Sequence, residues 1–372
     1  MSGCRWEPYL MSRRPTQADV ARHAGVSKAT VGFALSDRYD IAIPESTRQR
    51  VKKAADEIGY RPNLAARALV SGRTNTISIA FPGTIQAHHG RVLEVFERMT
   101  SDHGYHLLAT TIGHIQPSNA LPDFADLLNG PNDAVVLVDV FDRYRPYIEE
   151  LVPTSRPVIS MGIVDLAGVD SVHVDLAPAA AAACDHLFLP GRDHAVFLGA
   201  NIPPLEIPAY IERWLRGESD PRCVAYCRAA AARGIPPRII GGSDWSRAGT
   251  IATLERYIAD HGCPHALFCT NDVLAMRAHG ALRRWGYRIP TDVRLIGCDG
   301  IEAAEDIDPA LSTIVQPVAE MCAAVWELLF ARLGMPETPR QYRRLPAEFV
   351  VRGSSSADTP EAHEALQKGH SL

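Results

Sequence analysis

The chain holds 372 residues, 46% hydrophobic and 22% charged, with a formal net charge of −5 at pH 7. That is too long for one compact core and suits a small domain plus two of ordinary size. No apolar run approaches the ~20 residues of a helical membrane span, so no membrane partner is expected. The charge is uneven: residues 1–73 carry 13 Lys and Arg against 7 Asp and Glu, and the remainder 25 against 36. A basic segment joined to an acidic body suits a module that neutralises phosphates, although a solvated basic face would give the same count.

Met1 to Leu10 lacks an apolar stretch followed by a small-residue cleavage site, so the chain is expected to stay in the cytoplasm. Residues 1–15 read as a disordered extension, with translation starting at Met1 or Met11. The eight cysteines are scattered, and neither Cys223 with Cys227 nor Cys263 with Cys269 has the spacing of a zinc knuckle. Reduced, mostly buried thiols are expected, with no metal and no cofactor.

Thr16 to Ala24 reads as a helix: Thr16 is a good N-cap with Asp19 three residues on, and Val20, Ala21 and Ala24 form an apolar face. Gly25 ends it, and Ser27 caps a second helix through Leu35. Pro44 to Gly59 gives a third, with Val51, Ala54, Ala55 and Ile58 inward. After Tyr60-Arg61-Pro62, the Ala-rich stretch Asn63 to Val70 is long enough for two helical turns, marginal alone in water. Residues 61–75 therefore read as a hinge helix and linker, and 16–60 as a helical domain.

Beyond Thr76 strands alternate with helices. Strands are expected at Thr76–Phe81, His106–Thr111, Ala134–Val140, Val158–Met161, Ala195–Gly199, Arg238–Ile240, Ala266–Cys269 and Val293–Gly297. Helices are expected at Arg91–His103, Ala177–Leu189, Arg222–Arg233, Arg247–His261 and Val273–Trp285. This alternation implies parallel sheets covered by helices, and residues 76–353 are enough for two such lobes, with a ligand crevice at the strand carboxyl ends. The tail from Ser354 to Leu372 is polar and reads as disordered.

The segment Asp19 to Val31 places small Ala21, turn Gly25 and apolar Val31 where two helices pack at a steep angle, the geometry of a helix-turn-helix. Here the sequence resembles a known family. Thr16 to Leu69 is similar to the DNA-binding headpiece of the LacI/GalR (lactose-repressor) regulators: an Asp-Val-Ala start, a Gly-Val-Ser turn, Thr47-Arg48 in the third helix and Gly-Tyr-Arg-Pro-Asn before the hinge. The resemblance runs to about residue 350. It implies an all-α headpiece followed by a two-lobed α/β core like that of periplasmic binding proteins.

The resemblance makes the second helix the recognition helix. Lys28 and Ala29 then hold base-reading positions, Lys28 as a donor to guanine and Ala29 and Phe33 as apolar contacts, for example to a thymine methyl. The alternative reading of Phe33 is core, given its place on an otherwise apolar helix. Thr16, Ser27, Thr30 and Ser36 would position the DNA backbone, and Tyr60, Asn63, Arg67 and Leu69 complete the implied DNA-binding set. Leu69 would wedge into the minor groove from a hinge that folds on DNA, or else cover the core's surface. Gly32 departs from the serine usual there and weakens the helix. Paired hinges imply a homodimer on a near-palindromic operator in double-stranded DNA; a tetramer stays open, though no heptad-patterned tail is visible.

In the core, the resemblance places Arg222, Trp245, Asn271, Asp299 and Gln316 on a small-molecule effector, with His88 near the pocket mouth. His88 and His89 read equally as surface helix residues. Asp272 reads as a helix cap rather than a ligand contact. Gly162 and Val138 fill places where sugar-binding members often have polar residues, so the effector is left as a sugar-like or nucleoside-like compound. The competing class, an α/β binding protein or enzyme that does not read DNA, finds no support: there is no G-x-G-x-x-G after the first strand, no Walker loop, no G-x-S-x-G elbow and no metal-spaced His pair. An exported solute-binding protein would share the lobes but not the headpiece. The sequence therefore reads as a non-enzymatic DNA-binding regulator, a repressor in the family's usual sense.

Overall fold

The computed structural model describes residues 15–35, 43–61, 68, 72–83, 86–112, 127, 130–140, 156–163, 166, 168–200, 207–215, 220–242, 244, 246–335 and 337–356. Among these the chain divides into two compact units, residues 1–74 and 75–372. The expected extension at 1–14, Ser36, the hinge residues Asn63, Arg67 and Leu69, Trp245 and the tail from residue 357 lie outside the described residues.

The helices of the first unit whose bounds are described are α1 (Gln17–Ala24), α2 (Lys28–Ala34) and α3 (Glu45–Glu57). At the start of α1 the Thr16 amide donates to Asp19 Oδ2 at 2.9 Å while Asp19 N–H returns to Thr16 Oγ1 at 3.4 Å, a reciprocal cap that satisfies two otherwise orphaned donors. Gly25 takes φ +64°, which a Cβ would disfavour, and so turns the chain into α2. Ser27 Oγ accepts from Thr30 N–H at 3.1 Å to start it. Val20, Val31, Val51, Ala54 and Tyr60 close the small core. Two arginines of α3 finish the neighbouring helices. Arg48 donates to the carbonyls of Phe33 and Ala34 at 3.3 and 3.2 Å, and Arg50 to that of Ala24 at 3.1 Å. Helix carboxyl ends leave such carbonyls unpaired and carry partial negative charge, so cations belong there.

The second unit carries two six-stranded sheets. The first runs β11-β5-β4-β3-β1-β2 and the second β12-β10-β9-β8-β6-β7; all neighbours are parallel except β10 with β12. The first sheet is built from β1 (Thr76–Pro82), β2 (His106–Ile112), β3 (Ala134–Val138), β4 (Val158–Gly162), β5 (Asp170–Asp175) and β11 (Tyr342–Pro346). The second holds β6 (Ala195–Ala200), β7 (Ile239–Gly241), β8 (Ala266–Cys269), β9 (Arg294–Asp299), β10 (Ser312–Val315) and β12 (Glu348–Val350). Strands β3, β4 and β8 are buried along their whole length, as sheets covered on both faces require.

The covering helices are α4 (Ala87–Asp102), α5 (Ala177–Leu187), α6 (Ile207–Leu215), α7 (Pro221–Ala232), α8 (Arg247–His261), α9 (Asp272–Arg284) and α10 (Val318–Gly334). Because β5 and α10 serve the first lobe while α5, β10 and β12 serve the second, the chain crosses between lobes three times, at 175–177, 315–318 and 346–348. The first and third crossings are tied by Ala347 N–H donating to Asp175 C=O at 3.2 Å.

Several expectations need correction. Strands β5, β10, β11 and β12 and helices α6 and α10 were not foreseen. Helix α10 is the clearest case: Val318, Met321, Cys322, Val325, Trp326, Leu328 and Leu329 bury so much of its surface that the polar stripe of an amphipathic helix is weak. Helix α4 begins four residues before its expected start. The ordered body also runs past residue 353, since Ser354 and Ser355 are buried: Ser354 Oγ bridges Leu295 C=O and Ser312 N–H, and Ser355 Oγ meets Ser312 Oγ at 2.7 Å. A polar tail is thus pinned by hydroxyls rather than apolar contacts, which composition does not reveal.

Candidate DNA-reading helix and effector cleft

On α2, Lys28, Ala29 and Phe33 are exposed while Val31 and Ala34 are buried, so the helix keeps one face on the small core and turns the other to solvent. The reading of Phe33 as core is overturned; the ring is 36% exposed. Ser27 and Thr30 share a hydroxyl contact of 2.8 Å at the amino end of the same helix, and Thr16 caps α1. Tyr60 is 6% exposed and packs in the headpiece core.

The second unit gathers polar side chains at the carboxyl ends of its strands, where open α/β sheets bind ligands. In the second lobe, Arg222 stands in the first turn of α7, beneath the Asp220 cap. Its Nε and Nη2 donate to Asp220 at 2.9 and 2.8 Å, and Nη1 donates to the Thr270 carbonyl. Although burial works against the charge, Asp220 and Asp299 hold the guanidinium well above its ordinary range. Asp299 ends β9 at φ +124°, with Gln316 Nε2 donating to its Oδ1 at 3.0 Å. Burial pushes the Asp299 carboxyl well up, with Asp272 and Asp139 adding to the shift and Arg222 opposing it. Gln316, in the second crossing, keeps Oε1 buried with no partner among the described residues. A buried acceptor left open at a crevice is what a ligand donor would satisfy.

The cap of α9 expected of Asp272 belongs to Asn271. Asn271 is the cap of α9, accepting from Leu274 N–H at 2.8 Å, and its amide also donates to Gln86 Oε1 in the first lobe at 3.2 Å. Asp272 is fully buried and structural: it accepts from Ile301 N–H at 2.9 Å and Thr313 Oγ1 at 2.5 Å, its side chain lying where a Cβ on Gly297 would collide. Burial moves its carboxyl above the ordinary range. In the Asp244-Trp245-Ser246 loop, Ser246 caps α8 and Asp244 accepts from Ser246 N–H at 2.9 Å.

The first lobe supplies His88 and His89 from the opening turn of α4 and Asp139 from the end of β3. Both histidines are buried, which overturns their reading as surface residues, and their Nε2 atoms lie 4.0 and 3.3 Å from Asp139 Oδ2. Burial lowers the His88 pKa despite the pull of Asp139. For Asp139 burial acts upward, but His89 and the neighbouring positive charges outweigh it and hold the carboxyl below the usual range. Asp139 and Asp220 escaped the sequence reading. An acid directly after five buried apolar strand residues was a usable signal for Asp139, and Asp-Pro at a helix start for Asp220. Among the described residues no cluster of three or more metal-ligating side chains occurs, and no helix is long and apolar enough to cross a membrane.

Residues 16–63 match the family profile of bacterial regulatory proteins, lacI family, and residues 185–355 that of a periplasmic binding protein-like domain. The match to curated relatives runs through both units. The chain is 28% identical over 345 residues to the HTH-type transcriptional repressor CytR of Escherichia coli strain K12, covering 92% of this chain and 96% of that relative. The chain therefore joins a lacI-type regulatory headpiece to a periplasmic binding protein-like domain. Catabolite control protein A of Priestia megaterium is 26% identical over 342 residues, or 91% of this chain and 98% of that one. Among solved structures, the lac repressor dimer bound to operator and the anti-inducer ONPF aligns with a TM-score of 0.75 at 20% identity, covering 93% of this chain and all of that one. A LacI-family regulator from Silicibacter pomeroyi aligns at 0.74 and 20% identity, covering 92% of this chain and all of that one. These matches make the chain a DNA-binding transcriptional regulator rather than an enzyme, with a headpiece and a two-lobed ligand-binding core.

Proposed function

We propose that this chain is a cytoplasmic LacI-family repressor that binds a near-palindromic operator as a homodimer and is controlled by a small polar effector, sugar-like or nucleoside-like, held between the two lobes of its core. The solvent face of α2 carries the DNA-reading half of this proposal. Lys28, Ala29 and Phe33 stand together on one exposed face of a helix that follows the Gly25 turn. Lys28 supplies the donor for a guanine edge, Ala29 and Phe33 the apolar contact, and Thr16, Ser27 and Thr30 the backbone positioning. Ser36, Asn63, Arg67 and Leu69 complete the contact set proposed from the family resemblance. The buried open acceptor on Gln316, which donates to Asp299, supports the effector half; Arg222, Asn271, His88 and Trp245 complete the effector set proposed from the family resemblance. An effector moves such a protein only through different affinities for its DNA-competent and DNA-incompetent states. Lys28→Ala tests the reading helix. It is expected to weaken binding to a selected operator about tenfold or more, the ~1–3 kcal/mol of a good base contact, with a smaller loss on random duplex. An equal loss on both DNAs would make Lys28 a phosphate contact and remove the reading.

A further inference from the structure

The first lobe breaks with the pattern of the sugar-binding members at two wall positions, since Val138 and Gly162 stand where those members often carry polar side chains. The structure holds a replacement. Strand β4 ends at Gly162 with φ +140°, and a Cβ there would lie 2.2 Å from Asp139 Oδ1 and 3.0 Å from Asp139 N. Asp139 follows β3 in the left-handed region at φ +48°, and its N–H donates to Met161 C=O at 2.8 Å. The carboxylate of β3 thus occupies the space that a side chain on β4 would take, and the missing Cβ is the condition for it.

The neighbours of this carboxylate are also arranged. Gln86 N–H donates to His89 Nδ1 at 3.3 Å, which places the proton of a neutral His89 on Nε2, the atom 3.3 Å from Asp139 Oδ2. One carboxylate oxygen is therefore engaged, while Oδ1, above Gly162, accepts no hydrogen bond from the described residues. With Gln316 Oε1, the cleft offers acceptors from both sides. Arg222, a permanent cation whose charge acts on Asp139, is committed to Asp220 and to the Thr270 carbonyl.

We propose that Asp139 is the specificity-determining residue of the first lobe: it accepts from an uncharged effector bearing adjacent hydroxyl or amine donors, and it turns away anionic relatives of the same compound. This rests on the effector lying between the lobes, as proposed above. The carboxylate is held in its charged form by its surroundings, so a phosphate or carboxylate on the ligand meets like charge in a partly buried place.

The test is isothermal titration of the full chain with adenosine, cytidine, ribose and glucose, and with the two nucleoside 5′-monophosphates, ribose 5-phosphate and glucuronate as their anionic counterparts. At least one uncharged compound is expected to bind, with its anionic counterpart at least tenfold weaker. Asp139→Ala is expected to weaken that binding at least tenfold. Asp139→Asn, which keeps the shape should the alanine variant fail to fold, is expected to weaken it similarly and to narrow the preference over the anion. Gln316→Met serves as the control for the cleft. If Gln316→Met loses affinity and neither Asp139 variant does, the role given to Asp139 is wrong while the cleft stands. If folded variants at both positions bind as the parent does, the cleft reading itself fails. Binding by anions alone, or by no compound of the panel, overturns the proposal.

Discussion

The headpiece and the core handle their functional side chains in opposite ways. On α2 the side chains of the proposed reading residues, Lys28, Ala29 and Phe33, are exposed, while the arginines and side-chain caps that stabilise the headpiece helices come from other residues. In the core, Arg222, Asp299, Gln316 and His88 are each less than a tenth exposed and are engaged with other polar groups of the cleft. A change on the reading face should therefore alter binding alone. In the cleft it should alter binding and stability together.

Three substitutions sharpen this contrast. The largest effect is expected for Arg222→Ala, which leaves Asp220 beside an unpaired, partly buried position. Breaking a buried pair costs about 3–5 kcal/mol, and effector affinity should fall with it. Chemical denaturation of the variant measures the first, and a loss below about 1 kcal/mol would show the pair to be incidental to the fold.

The second effect depends on pH. The folded pKa of His88 lies below the unfolded value of 6.5, so as pH falls through 6.5 the unfolded chain takes up a proton first. The protein should lose stability relative to His88→Asn between pH 7 and pH 5, by at most about 1.4 kcal/mol per pH unit. Parallel unfolding curves at the two pH values check this, and a difference that does not change with pH would mean that His88 is not held neutral. Taking the difference matters because Asp272 and Asp299, whose pKa values are raised, shift the parent's own profile the other way.

The smallest effect is in the headpiece. A Cβ on Gly32 would meet nothing within 4 Å, and glycine inside a helix costs about 0.5–1 kcal/mol relative to alanine. Gly32→Ala should stabilise the headpiece by that amount, seen as slower amide exchange in α2. Unchanged exchange would show that the backbone there is already fixed by its neighbours.

Legibility followed the range of the interactions. The Thr16 cap, the Gly25 turn and the apolar faces of α1 and α3 rest on residues a few positions apart, and all were readable. The buried strands β1, β3 and β8 were readable as short apolar runs. Asp139 was not, because its place depends on a glycine in the next strand and on a histidine in α4. The cap of α9 was read at Asp272 and not at Asn271 because both are good cap residues, and only the depth of Asp272 beneath Gly297 separates them. The burial of Ser354 and Ser355 rests on hydroxyl contacts with β10, which a polar tail does not announce.

The central claim is that this chain reads an operator and that a compound in the cleft changes the reading. Selection of bound sequences from random duplex DNA by the purified full chain, with and without a panel of sugars and nucleosides, tests it most directly. Enrichment of a near-palindrome whose recovery shifts with one compound is the predicted result. Absence of any enriched sequence, at low as well as moderate salt, would contradict it.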